Sequence, residues 1–474
     1  MVVFRNYCTD SFPATIHSFK KLRSLIVEGF PSSMNAALPD LIANLSCLRT
    51  LKLLRCGIEE VPSNIGKLIH LRHVDLSWNE IKELPEEICE LYNMQTLDLS
   101  GCSELEKLPD NIGKLIRLRH LSVLQWDESS FVEMRGVEGL GCLRELDELY
   151  NMQTLDLSGC SELEKLPDNI GKLIRLRHLS VLQWDESSFV EMRGVEGLGC
   201  LRELDEFHVS GSGERSNIGG LKNLNHLQGC LRIRWLGDVK DPDEVKKAEL
   251  KSKKNLTRLG LWFDSRTDRG MIHDDEILEA LEPPPNIDSL TIRDYQGIIQ
   301  VFPSWINKLR VVELIDWRKM ENLHSLGKLP FLEKLVVRGM ESVRKVGREF
   351  LGMEAAVADG SDIRIGEMTA SPSNTVIAFP KLKFLWFDSL ENWEEWEGEG
   401  RRNEDKTIMP SLRSLRIAYC PKLKALPDYI YQSTTLEKLN IMFSPILQKQ
   451  FKEGGNGWPN TSHTPNITFT FEMF

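Results

Sequence analysis

Apolar residues in the pattern L-x-x-L-x-L open at Leu48, Leu71, Met94 and Leu118, at spacings of 23, 23 and 24 residues. A unit this short cannot bury its own apolar side, so consecutive units must stack and share one core that grows along a single direction. Within each unit the alternating L-x-L marks a short strand whose leucines point inward while the intervening residues face out. What remains of each unit is a return arc to the next strand. The frame resumes at Met152 and Leu176, because residues 91–148 recur letter for letter at 149–206, fifty-eight against fifty-eight. Fifty-eight is not a multiple of 23 or 24, so the long repeat was laid over the short one out of phase. Perfect identity leaves two origins open: a recent copying event, or an error in the assembled gene.

A short strand and a return arc every 20 to 30 residues or so is the signature of the leucine-rich repeat. The predicted fold is an α/β solenoid, a horseshoe whose concave parallel sheet holds about sixteen short strands, with irregular or short-helical arcs on the convex side. Strands are expected near Leu22, Leu48, Leu71, Met94, Leu118, Met152, Leu176, Leu201, Leu224, Leu256, Ile287, Leu309, Leu332, Leu382, Leu412 and Leu436. Residues 1–21 read as an N-terminal cap or first arc, and 22–206 as regular repeats that include the duplication. Residues 207–444 read as irregular repeats and 445–474 as a C-terminal cap or tail. Asp241-Pro242-Asp243-Glu244 has the form of a helix start, with a capping Asp, a proline in the first turn and a Glu behind it. It predicts a short helix through Leu250, and a second helical arc begins near Asp274 and ends at Pro283-Pro284-Pro285. Residues 341–380 mix small and polar side chains and read as a loop inserted in one arc. Residues 388–399 (DSLENWEEWEGE) hold six acids and no base, a solvated face in which Trp393 and Trp396 keep a binding role open.

The net charge of −11 argues against nucleic acid or anionic lipid as the main partner, since both reward a basic face. Arg5 and Asp10 interrupt any signal-peptide core, and no apolar run is long enough to span a membrane. The expected location is the cytoplasm, with the nucleus as the other choice. Cys56, Cys102, Cys160 and Cys420 each fall eight residues after the first apolar position of a repeat, a slot where Asn79 also stands. Both residue types can satisfy backbone groups of a turn there, so these thiols are expected to be reduced and structural. No C-x-x-C pair, H-E-x-x-H, G-x-S-x-G or G-x-G-x-x-G occurs, and Gly347 and Gly352 are followed by Met353-Glu354 where a phosphate loop needs Lys-Ser/Thr. Neither an enzyme, a cofactor nor a metal is expected.

IEEVPSNIGKLIHLRHVDLS (Ile58 to Ser77) resembles the repeat region of plant intracellular disease-resistance proteins of the nucleotide-binding leucine-rich-repeat type. Residues 224–263, LNHLQGCLRIRWLGDVKDPDEVKKAELKSKKNLTRLGLWF, are similar to a later segment of the coiled-coil class of that family. Residues 417–441, IAYCPKLKALPDYIYQSTTLEKLNI, are similar to its closing repeats. The resemblance implies a role in plant defence and innate immunity, with the repeats sensing a pathogen effector or a guarded host protein. It also implies a nucleotide-binding domain as a second partner, in the same gene's full product or on another chain. No coiled coil or nucleotide-binding motif precedes the repeats here, so the switching chemistry is not carried over to any residue.

The third, fifth and seventh residues of each L-x-x-L-x-L-x should project from the concave sheet. The first half displays His73, Asp75, Ser77, Thr96, Asp98, Ser100, His120 and Ser122 and then their copies, all small, polar or mildly acidic. The second half displays Arg258, Trp262, Arg293, Val311, Ile315, Val336, Arg338, Phe384, Trp386 and Arg416. Trp and Arg concentrate at interface hot spots, and an apolar residue on an open sheet face has no core to fill unless an arc covers it. These ten are the candidate partner-binding residues. Trp126, Trp184 and Trp317 fall at the turn slot instead and are expected to be core. Two alternatives stand beside the recognition module: a truncated or regulatory receptor fragment, and an adaptor or substrate-receptor repeat protein. The adaptor would need a docking motif for which the residues before Leu22 leave little room.

Overall fold

The computed structural model describes residues 1–5, 16, 18–29, 34–125, 148–160, 163–183, 187–210, 216–264, 274–297, 302–323, 325–353, 376–398, 406–453 and 466–470. Two long parallel sheets run in sequence order. One has nine strands, from Val2–Arg5 to Glu203–Leu204, and the other has ten, from Glu206–His208 to Asn466–Thr470. The chain divides into two compact units, Met1–Arg232 with Glu244–Leu256, and Ile233–Asp243 with Thr257–Phe474. Each is a leucine-rich-repeat solenoid, the class that the 23-residue frame predicts.

A strand stands at each of the sixteen expected places. Two more pair at the ends, in segments read as cap and tail. Val2–Arg5 pairs with Ser24–Glu28, and Asn466–Thr470 pairs with Lys438–Met442. Neither VVFR nor NITFT contains the leucine frame, but both carry the β-branched and aromatic residues that fit a pleated surface. The leucines stack as the frame requires: Leu51, Val74, Leu97, Leu121, Leu155, Leu179 and Leu204 lie in one register and are all buried. The turn slot behaves as its chemistry predicts. Asn79 Oδ1 accepts from the backbone N–H groups of Cys56 (2.9 Å) and Ile58 (3.1 Å), and its Nδ2 donates to the carbonyls of Leu53 and Leu76, each at 2.7 Å. The thiols of Cys102, Cys160 and Cys420 are pushed up by burial to about 11, 12 and 12, so they remain protonated and unreactive.

The arcs differ in detail from the expectation. Asp241 does cap its helix, its Oδ1 accepting from the N–H of Asp243 at 2.9 Å, but the α-helix spans only Pro242–Lys246. Glu249 then takes a left-handed conformation (φ 47°), and a 3-10 turn at Leu250–Ser252 completes the arc. Helix Asp274–Ala280 forms where the acidic run begins. The proposed loop at 341–380 is narrower than its composition suggests. Lys345–Val346 pairs with Glu395–Trp396, Val376–Ala378 pairs with Lys406–Ile408, and Phe350 is fully buried. Residues 354–375 lie outside the described residues.

The duplication junction is bridged by one long repeat. His120–Ser122 pairs directly with Thr154–Asp156, 34 positions on, so strand pairing is continuous across the junction. Leu140, Leu143, Leu146 and Leu149 fall at every third position, which predicts a short helical turn. Leu149 is buried, and the first three lie outside the described residues. In the second copy the next strand comes 25 positions on, with His178 opposite Glu203. Deleting 149–206 would join Glu148 to Phe207 and restore to the first copy the neighbours that LRELDE has in the second. Stability in a repeat array is close to a sum of unit and neighbour terms, so the deletion is expected to fold with a cooperative thermal transition. Aggregation or loss of that transition would show that the insert is structurally required.

Candidate partner-binding face of the second unit

Six strands of the second unit present their outward residues as a grid. One row runs Arg258, Ser289, Val311, Lys334, Phe384, Ser414; the next Gly260, Thr291, Glu313, Val336, Trp386, Arg416; the third Trp262, Arg293, Ile315, Arg338, Asp388, Ala418. All ten sequence-derived candidates therefore fall on this face. Strand neighbours stand about 4.8 Å apart, which places Val336, Trp386 and Arg416 side by side. The Arg416 guanidinium lies over the Trp386 ring at 4.2 Å from its centroid. The indole N–H of Trp386 and the Nε of Arg416 are buried with no protein acceptor, two donors that an incoming carbonyl or carboxylate would satisfy.

The candidates are not equivalent. Phe384 is 50% exposed, while Val336 is only 5% exposed, so Val336 supports its neighbours and offers little contact of its own. Val336 projects on this face as expected but is covered there, which corrects its reading as a contact residue. Trp262 lies across its own strand, because a methyl group on Gly260 would stand 2.0 Å from its Cζ3. Glycine at 260 is what permits this close approach. Arg293 is held by Asp294 and Asp316, each 3.3 Å from its Nε. Both aspartates have left-handed backbones (φ 55° and 58°) at the corner where the chain leaves its strand. Arg258 and Arg338 are exposed and pair with no carboxylate among the described residues. Val311, Ile315, Phe384 and Trp386 are the apolar members of this face, interrupted by the ion pair of Lys334 with Glu313 at 2.6 Å. Arg258 and Arg338 stand on the same face.

Burial raises the Asp294 carboxyl from the ordinary 3.8 to about 6; Arg293 opposes the rise, and Asp316 and Asp264 add to it. The folded form therefore holds this proton more tightly than the unfolded chain. Its contribution to stability is greatest below about pH 4 and declines as pH rises from 4 through 6. Asp294→Asn is expected to flatten that decline and raise stability at pH 7 relative to the wild type. Chemical denaturation at pH 4, 5, 6 and 7 checks this; parallel profiles for the two proteins would contradict it.

The first unit's outward rows are satisfied internally. Lys52 Nζ pairs with Asp75 at 3.1 Å, Ser100 donates to Asp98 at 2.6 Å, and His73 Nδ1 lies 3.1 Å from Thr96 Oγ1. Trp317 is core, its Nε1 donating to the Ile292 carbonyl at 3.1 Å, whereas Trp126 and Trp184 lie outside the described residues. Trp393 and Trp396 are core too, which overturns a binding role for them. They pack against Phe387 at 4.8 and 5.2 Å between centroids. The acids around them are tied to basic partners, Glu394 to Lys424 at 3.0 Å and Glu397 to Lys345 at 2.5 Å.

Residues 218–340 match a family described as R13L1/DRL21 LRRs, residues 62–150 one described as a leucine-rich repeat region, and residues 151–173 a single leucine-rich repeat. The disease resistance protein RGA2 of Solanum bulbocastanum is 30% identical over 48% of this chain and 22% of its own length. An RPP13-like disease-resistance protein of Arabidopsis thaliana is 30% identical over 47% of this chain and 21% of its own. The chain is a leucine-rich-repeat region similar to those of plant disease-resistance proteins. It spans about a fifth of each of these two relatives. A leucine-rich-repeat protein of Leptospira interrogans shares the fold, with a TM-score of 0.51 at 17% identity over 97% of this chain and 93% of that one. No helix among the described residues is long and apolar enough to cross a membrane.

Proposed function

We propose that this chain is the recognition surface of a plant immune receptor, engaging a pathogen effector or a guarded host protein through the concave face of its second unit. The observation that carries the reading is the set of apolar side chains Val311, Ile315, Phe384 and Trp386 sharing one sheet face with Arg258, Arg338 and Arg416. Apolar side chains on an open sheet face add nothing to a core, and guanidiniums without carboxylates add nothing to a salt-bridge network. Both are what a protein interface uses: aromatic anchors for buried area and arginine for directed hydrogen bonds. The role is binding, with no chemistry of its own. A nucleotide-binding domain, in the same product or on another chain, is the second partner in this reading.

The experiment is a binding screen of the purified chain against secreted proteins of plant pathogens. Each binder is then re-measured with Trp262→Ala and Trp386→Ala. A binder lost in both variants supports the reading. Binders indifferent to both would place recognition elsewhere.

A further inference from the structure

The turns leading into five consecutive strands of the first unit each leave one large apolar side chain in solvent. Ile69, Tyr92, Ile116, Tyr150 and Ile174 are 41%, 50%, 43%, 50% and 62% exposed. Each stands two residues before the first inward residue of its repeat, so all five hold the same place in consecutive units. Side-chain amides lace these turns together. Asn93 Nδ2 donates to the Ile69 carbonyl at 2.9 Å and Asn151 Nδ2 to that of Ile116 at 2.8 Å, while Arg117 and Arg175 donate back to Asn93 and Asn151 at 3.0 and 2.9 Å. Single exposed leucines or isoleucines are ordinary on a protein surface, but five in register form a ridge.

Three residues further along each turn lies a row of arginines. Backbone hydrogen bonds of 2.7–2.9 Å link Arg23, Arg49, Arg72, Gln95, Arg119, Gln153, Arg177 and Arg202 in one line. All six arginines are exposed, and none pairs with a carboxylate among the described residues. The same position in the second unit is different: Arg310 pairs with Glu333 at 2.7 Å, Glu333 with Lys383 at 2.7 Å, and Arg413 with Glu437 at 3.9 Å. There the row neutralises itself. In the first unit like charges stand one or two strand spacings apart, an arrangement that costs repulsion and contributes nothing to the fold.

We propose that the ridge and the arginine row together form a second docking surface, which takes an acidic amphipathic segment of a partner protein. Its apolar side chains would lie on the Ile and Tyr ridge and its carboxylates on the guanidiniums, which bind them bidentately. The width of the surface selects a protein segment over a membrane or a nucleic acid. On the far side of the ridge, exposed Glu90 and Glu148 alternate with Lys67, Lys114 and Lys172. That row is mixed in sign and the chain carries −11 overall, so a broad polyanionic surface meets no continuous basic face. A helix about 10 Å across meets only the ridge and the arginines. Tyr150, Ile174, Arg177 and Arg202 all come from the second copy of the duplicated segment, so the duplication extends the ridge from three residues to five. This surface is independent of the concave face of the second unit.

The test uses the full chain and a labelled helical peptide with leucines on one face flanked by glutamates, read by fluorescence anisotropy. Controls are the same peptide with lysine for glutamate, phosphatidylserine vesicles and a DNA oligonucleotide. The glutamate peptide is expected to bind, and more weakly as salt rises. Ile116→Ser with Ile174→Ser should weaken it about tenfold or more. Arg119→Glu with Arg177→Glu should do the same and flatten the salt dependence, and deleting 149–206 should also weaken it. Both double variants should keep the wild-type melting temperature. Four results would overturn the proposal: the lysine peptide binding as well, vesicles or DNA binding in place of the peptide, affinity surviving both double variants, or the Ile variants melting early, which would make the ridge core.

Discussion

Trp393→Ala is expected to cost about 3–5 kcal/mol, the usual range for removing a fully buried tryptophan. The side chain has no exposed surface, packs 4.8 Å from the Phe387 ring and 5.4 Å from that of Trp396, and donates from Nε1 to the Glu395 carbonyl at 2.9 Å. Truncation leaves a cavity among rings and a carbonyl without its donor. Repeat arrays lose stability locally, so the effect should appear as early unfolding of the second unit. Thermal and chemical denaturation of the purified variant measure it. An unchanged melting temperature would mean that the acidic segment is a solvated appendage, as its charge alone suggests.

That segment shows where reading the letters stops. Periodic features were legible because each leucine has one permitted direction: the sixteen strands, the turn slot of Asn79 and Cys102, and the outward placement of Trp386 all follow from alternation. Trp393 has no partner in the frame, so its burial depends on an arc whose path the frame does not set. The terminal strands carry β-propensity but no leucines, and they pair because a sheet edge is there to receive them. Val336 was legible as outward but not as covered, since coverage depends on the size of its neighbours. The arginine row was visible as L-R-H at Leu71, Leu118 and Leu176. What the letters could not show was that, among the described residues, no carboxylate pairs with it.

Trp386→Ala, seven residues before Trp393, should do the opposite. Its ring lies on the open face with Arg416 above it, so truncation removes contact area and little core. At a packed interface such a loss costs about 2 kcal/mol or more, roughly thirtyfold in affinity. Trp262→Ala should behave similarly, its ring spanning the gap that Gly260 leaves. Asp75→Ala in the first unit should leave effector binding nearly unaltered, because that carboxylate is already engaged by Lys52 and Ser77.

The most direct measurement is the affinity of the full chain and of Trp386→Ala for the same effector, taken beside a melting curve for each. Recognition through the concave face predicts a roughly thirtyfold loss of affinity with the melting curves superimposed. A sharp fall in melting temperature with affinity intact would make Trp386 a core residue and contradict it.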